Sequence, residues 1–232
     1  MLAMVSAPRP TRERLWDILA AVMAVAAVIV CVLAVRRVII DHRDSTSARA
    51  LSSERPIANW AELTKVGNPI GKASAPIRIV EFGDFQCPAC ARVASRLDSA
   101  QRSSAPEFRI AFVHFPLTAI HAYAFDAAVA AQCAARQRHF EQLHDVFYKE
   151  QREIGRRQWH SFAAEAGITD LAAFDQCLSD TTTATAVRQQ SNIATRLGLI
   201  GTPTFAVDGV LFPAGTPLER ILAALSTEKQ LQ

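Results

Sequence analysis

The sequence has no dense basic block: its 25 Lys and Arg are scattered against 22 Asp and Glu, the formal net charge is only +3, and no aromatics interleave with the cations. The electrostatic footprint of a nucleic-acid binder is missing. No internal repeat is visible. Cysteine is sparse, five in 232 residues, too few for a disulfide scaffold yet too many for incidental packing. Only one close pair occurs, Cys87 and Cys90, and His114, His121, His139, His144 and His160 stand at no recognised ligand spacing. Structural zinc therefore lacks its four donors, and no metal is expected. What is plentiful is apolar: half the composition, enough for the core of one domain with additions.

Charge is absent altogether from Ile18 to Val35, eighteen residues that at a helical rise just span a bilayer core. The pattern predicts a single transmembrane helix over 15–40, after a short N-terminus of residues 1–14. A cleaved signal peptide is the rival, but the run is long and no small-x-small site directly follows it. Arg9, Arg12 and Arg14 precede the span and Arg36, Arg37, Arg43 and Arg49 follow it, so the positive-inside rule chooses no side. Cys31, inside the span, reads as a small apolar residue. Residues 41–56 are polar and Ser-rich, a tether, and the soluble domain is expected over 57–232.

Within it, Ile77 to Phe82 and Phe108 to Phe115 are short apolar runs that predict strands, with a helix between them from the cysteine pair onward. A long helical tract follows. Phe125, Val129 and Cys133 recur at i, i+4 and i+8, and Phe140, Leu143 and Phe147 form a second stripe, both expected as core faces. Further helices are expected over 158–166, 170–179 and 181–197, the first and last of these ending at Gly167 and Gly198. Asp208-Gly209 between "TFAV" and "VLF" signals a hairpin, and Leu218 to Leu225 a closing helix. The plan is α/β, with a helical block at about 118–198 inserted between strand-helix-strand and hairpin-helix.

The pair in "DFQCPACARV" follows a predicted strand and opens a predicted helix. There, unpaired N–H groups and the positive end of the helix dipole favour a thiolate, so Cys87 should have a lowered pKa and act as the exposed, attacking sulfur. Pro88 suits the first helical turn. Cys90, one turn in, would be the protected, resolving sulfur. A structural bridge across so tight a loop would stabilise little, which favours redox cycling. Glu81 lies in the apolar strand "IVEF", where a carboxylate is costly without a task. It is expected to exchange a proton with Cys90, the alternative being that it points outward at a strand edge.

"VEFGDFQCPAC", with "GTPTF" at Gly201 to Phe205, resembles the thioredoxin superfamily, and within it the DsbA-like thiol-disulfide oxidoreductases of bacterial envelopes. The likeness spans about residues 66 to 225 by order of elements. It implies a thioredoxin fold with an inserted helical block, a cis peptide before Pro203, a Thr202 backbone that pairs with substrate, and support for the proton role of Glu81. Ala89 stands where the strongest oxidants of the family carry His, which leaves the oxidising strength open across a range of about −270 to −120 mV. Some DsbA-like proteins hold a second, structural bridge, and the resemblance suggests one between Cys133 and Cys177; two free buried thiols are the alternative.

These readings lead to an expected membrane-anchored thiol:disulfide oxidoreductase without organic cofactor. Its domain would be extracytoplasmic and its N-terminus, residues 1–14, cytoplasmic, its substrates reduced exported polypeptides, and its electron acceptor, by resemblance, a quinone-linked membrane oxidase of the DsbB or vitamin K epoxide reductase type. The rivals are a reductase or isomerase fed by a membrane electron donor, and a peptide-binding module without redox turnover.

Overall fold

The computed structural model describes residues 19, 21–34, 36, 54–103 and 107–227. The chain divides into two compact units, residues 1–50 and 51–232. In the first, residues 21–34 are helical and exposed. The short N-terminus, the flanks of the expected membrane span and most of the tether lie outside the described residues, and among those described no helix is long and apolar enough to cross a membrane.

The second unit is built on one mixed sheet of six strands, β1 (Arg55–Pro56), β2 (Asn68–Ile70), β3 (Ile77–Gly83), β4 (Arg109–His114), β5 (Thr204–Val207) and β6 (Val210–Phe212), in the order β1-β6-β5-β3-β4-β2. Only β3 and β4 run parallel. They are joined by helix α2 (Pro88–Ser103), while α1 (Trp60–Val66) lies between β1 and β2 in the chain. The helices α3 (Ala124–Arg136), α4 (Phe140–Lys149), α5 (Trp159–Glu165), α6 (Leu171–Leu178) and α7 (Thr181–Arg196) fill the interval between β4 and β5, and α8 (Leu218–Thr227) closes the domain. This is the expected α/β architecture with its inserted helical block.

Side-chain alternation along the strands divides the core in two. Ile79, Ile110, Phe112, Phe205 and Val207 pack with α2 and the helical block, whereas Val80, Phe82, Ala111, Val113 and Ala206 pack on the other face with Leu63 of α1 and Ala194 of α7. Glu81 has the parity of Ile79. It therefore points to the α2 face, not to an outer edge.

Local chemistry bounds the elements. Asp170 and Asp180 cap α6 and α7, accepting from the Ala173 and Thr182 N–H groups at 2.9 and 2.8 Å. Asp208 and Gly209 turn the β5–β6 hairpin with φ of 45° and 88°, the pair of positive values that a tight hairpin turn requires.

Two expectations are corrected. Arg55 and Pro56, read as the end of the tether, form edge strand β1 against Val210 and Leu211. Phe125 and Val129 do not share a face with Cys133: they pack in a separate cluster with Val187, while Cys133 joins the main core. Each i to i+4 step rotates about 40° round a helix, so two such steps carry a side chain well off the first stripe. Ala127, Ala130, Ala131 and Ala134 make the difference possible, because α3 is buried on nearly every side.

Candidate active site

Strand β3 ends at Gly83, where the Phe112 ring leaves no room for a Cβ: one placed there would meet ring carbons at 2.3 and 2.4 Å. Asp84 follows as a buried organising residue. Its Oδ1 accepts from the Gln86 N–H at 2.8 Å, its Oδ2 accepts from the Leu117 N–H at 2.8 Å and lies 2.7 Å from His121 Nδ1, and its carbonyl accepts from the Cys87 N–H at 3.1 Å. These contacts tie the loop before α2 to the segment after β4. From the helical block, Gln151 Nε2 donates to the carbonyls of Phe85 and Cys87 at 2.7 and 3.0 Å.

Cys87 stands just before α2, and the Thr202–Pro203 peptide beside it is cis. The Cys87 thiol donates to the Thr202 carbonyl at 3.3 Å. Both cysteines of the pair are free thiols, Cys87 7% exposed and Cys90 fully buried. The order of accessibility is as expected, but Cys87 is less open than its role suggested, because Thr202 lies against its sulfur. Pro88 and Ala89 form the first turn of α2, and Pro203 is buried.

The two thiols have opposite tendencies. A hydrogen bond from the Cys90 side chain, helped by the backbone N–H groups of Cys90 and Ala89, outweighs burial and lowers the Cys87 pKa to about 5. The backbone donors are those of a helix N-terminus, with sulfur as the acceptor of the cap. Burial first, then donation to Cys87 and the nearness of Glu81, push the Cys90 thiol well up. Glu81 is 1% exposed, and its carboxyl is raised to about 8 by burial and by the Cys87 charge. The site thus sets a sulfur that favours the thiolate beside a fully buried thiol and a buried carboxyl able to hold or take up a proton.

Glu81→Gln tests that reading of the carboxyl by its sign. A group whose pKa is raised on folding stabilises fully below its unfolded value, near 4.5, and loses that contribution as pH rises through about 8. The variant is therefore expected to resist urea better than the parent at pH 9, by a few kcal/mol at most, with the gain shrinking toward pH 4. Equal stabilities at both pH values would show that Glu81 is not desolvated.

The residues expected at the active site, Glu81, Cys87, Pro88, Ala89, Cys90, Thr202 and Pro203, come together. Cys133 and Cys177 do not join them: they form a disulfide with Cα atoms 5.8 Å apart, pinning α3 to α6 within the helical block. Sequence reasoning missed Asp84, His121 and Gln151. An aspartate set between Gly83 and Phe85 was a usable signal for Asp84. Gln151 had none, since an amide reaching 64 positions back along the chain leaves no trace in local pattern.

A family model described as thioredoxin matches residues 64–227. Two Na(+)/H(+) antiporters named NhaA 1, of Mycolicibacterium gilvum (strain PYR-GCK) and Salinispora arenicola (strain CNS-205), are each 32% identical to this chain, over 141 and 160 residues. The alignments take in 60% and 68% of this chain but 23% and 24% of theirs. The chain thus spans about a quarter of the length of the curated relatives it matches. Among solved structures, oxidised BdbD of Bacillus subtilis superposes with a TM-score of 0.63 at 19% identity, covering 76% of this chain and 97% of that one. A thioredoxin-like oxidoreductase from Silicibacter pomeroyi DSS-3 gives 0.62 at 22% identity, over 75% and 99%. The oxidoreductase DsbA from Xylella fastidiosa gives 0.54 at 20%, over 73% and 94%. At these identities the likeness is one of fold.

Proposed function

The chain belongs to the thioredoxin family, with a DsbA-like form of its fold, and from that premise we propose that it is a membrane-anchored thiol:disulfide oxidoreductase that introduces disulfides into exported polypeptides. The observation that carries this is the arrangement at α2: a Cys87 sulfur with a pKa of about 5 against the cis Thr202–Pro203 peptide, and Cys90 with Glu81 buried behind it.

The cycle starts from a Cys87–Cys90 disulfide. A substrate thiolate attacks the Cys87 sulfur, the Cys87–Cys90 bond breaks, and its electron pair leaves on Cys90, which takes a proton from Glu81. A second substrate thiolate then attacks the substrate sulfur of the mixed disulfide, and Cys87 departs as a thiolate. The substrate loses two electrons to the Cys87–Cys90 disulfide, which becomes a dithiol, and a quinone-linked membrane oxidase, the expected acceptor, takes them on. Thr202 and Pro203 hold the substrate backbone beside Cys87, and Asp84 and Gln151 fix the loop that aims the sulfur.

A stabilised thiolate supports the oxidising direction, because it favours the reduced form of the protein and makes its disulfide the better oxidant. A pKa of about 5 falls between about 7 for thioredoxin and about 3.5 for DsbA. The Cys133–Cys177 bridge supports an oxidising compartment. The uncharged run from Ile18 to Val35 supports the anchor, as do relatives named as antiporters, which work across a membrane.

Equilibrating the full-length protein with glutathione tests the direction. The expected potential is well above thioredoxin's value of about −270 mV, with Cys133 and Cys177 still bridged. A value near thioredoxin's would overturn the oxidase in favour of a reductase, and a Cys87–Cys90 pair that never forms a disulfide would leave only peptide binding.

A further inference from the structure

Over a full cycle the proton that Cys90 gains in one half-reaction leaves in the other, and Glu81 handles it each time. Glu81 is 1% exposed, and a substrate or oxidant docked on Cys87 covers the groove. The carboxyl therefore needs another way to reach solvent.

A cavity of about 20 Å³ is bounded by α2, α4 and β3, and lined by Glu81 and His144 together with Asp98, Gln101, Glu141 and Asp145. Its size admits one water, which requires at least two polar partners. Two are free: Glu81 Oε1 and His144 Nε2 are both buried without a hydrogen-bond partner. His144 itself is 4% exposed, and its Nδ1 lies 2.9 Å from Oδ1 of Asp145, whose side chain is 64% exposed. An Nδ1–H donating to that carboxylate leaves Nε2 as a bare acceptor on the buried edge of the ring. The ring is held in place by edge-on contacts with Tyr148 and Phe112 at centroid distances of 4.8 and 5.3 Å. Neither Cys87, Thr202 nor Pro203 lines the cavity.

Resting on the thiol-disulfide reading above, we propose that Glu81 exchanges its proton with solvent through one water and the His144–Asp145 pair, by a route separate from the substrate groove. When Cys90 must ionise to re-form the disulfide, its proton passes to Glu81, and the Glu81 proton passes through the water to His144 Nε2 while Nδ1 releases its own toward Asp145. When Cys90 is expelled as a thiolate, a proton returns inward along the same atoms. The two half-reactions thus reset the imidazole tautomer, and no electron moves in the relay. His144 acts through Glu81 and is a positioning residue.

The other titratable groups around this path are Asp98 on α2, Glu141 and Tyr148 on α4, His114 on β4, Asp84 and the two cysteines. Burial pushes Tyr148 well up and His114 down to about 3, which keeps both neutral while the enzyme works. Glu141, also raised by burial, accepts from the Gly71 N–H at 3.1 Å.

The test follows the second step of oxidation of the full-length reduced protein by a peptide disulfide, the attack of Cys90 on the Cys87–peptide bond, by stopped flow from pH 5 to 9. His144→Phe is expected to slow this step about tenfold, and Asp145→Asn about threefold, modest against the range for proton-transfer catalysis. Both should enlarge the solvent deuterium effect, and both should leave the first step and the 240-nm titration of the Cys87 thiolate unchanged. Asp145 is exposed, so its variant separates the relay from any folding defect of His144→Phe. If both variants keep the parent's second step and isotope effect while Glu81→Gln slows it, the relay is wrong and the oxidoreductase reading stands. If no mixed disulfide forms in the parent, the oxidoreductase reading itself fails.

Discussion

Cys87→Ser is expected to bring disulfide transfer to a reduced protein substrate down to the uncatalysed background, a loss of at least about a thousandfold. With a pKa of about 5, the Cys87 sulfur is essentially all thiolate at pH 7, against a few per cent for a thiol of ordinary pKa. A serine hydroxyl offers neither the anion nor a sulfur to bond. Serine is nonetheless among the best residues just before a helix, so the variant should fold and melt like the parent, and the loss is chemical. Cys90→Ser should behave differently: Cys87 still attacks a disulfide, but nothing resolves the product, and mixed disulfides accumulate on a non-reducing gel. Residual turnover in Cys87→Ser, or no trapped species with Cys90→Ser, would remove the redox assignment from this pair.

Replacing Cys133 and Cys177 together by alanine is expected to be the most destabilising change that leaves the active site untouched. The bridge closes a loop of 44 residues, for which the chain-entropy relation gives about 4 kcal/mol. In a domain of this size that corresponds to a fall in Tm of roughly 10 °C. Calorimetry of parent and double variant in a Cys87→Ser, Cys90→Ser background, each with and without reductant, checks it: reductant should lower the bridged protein's Tm toward the double variant's and leave the double variant's where it is. A variant melting within a degree or two of the parent would mean that packing around α3 already holds the block.

The candidate site residues were legible in the sequence for different reasons. Glu81 is a charge in an apolar strand and Cys87 and Pro88 open a helix, whereas Thr202 and Pro203 were legible only from the resemblance of "GTPTF" to the thioredoxin superfamily. The Asp208-Gly209 hairpin was equally plain, being local chemistry with a local consequence. What escaped was short or long-range. Strand β2 is three residues containing Pro69, whose ring nitrogen cannot donate to a ladder, and it exists because β4 offers a partner and β2 has a free outer edge. Strand β1 is two residues of an otherwise polar tether. Asp84, Gln151 and His144 gain their meaning from neighbours tens of positions away. The partial burial of Cys87 belongs with them, since Thr202, which lies against its sulfur, is 115 residues further along.

That separation bears on how the molecule is first made. Chains are synthesised from the N-terminus, so Cys133 and Cys177 are both present before Thr202 and Pro203, and before β5 can pair with β3. During that interval the growing chain holds both cysteines of the bridge but not the Thr202 that comes to lie against Cys87. While the two cysteines of the bridge first come within reach of each other, a new copy therefore has no finished site of its own, and in that interval an older copy or an unrelated oxidant is what can close the bridge.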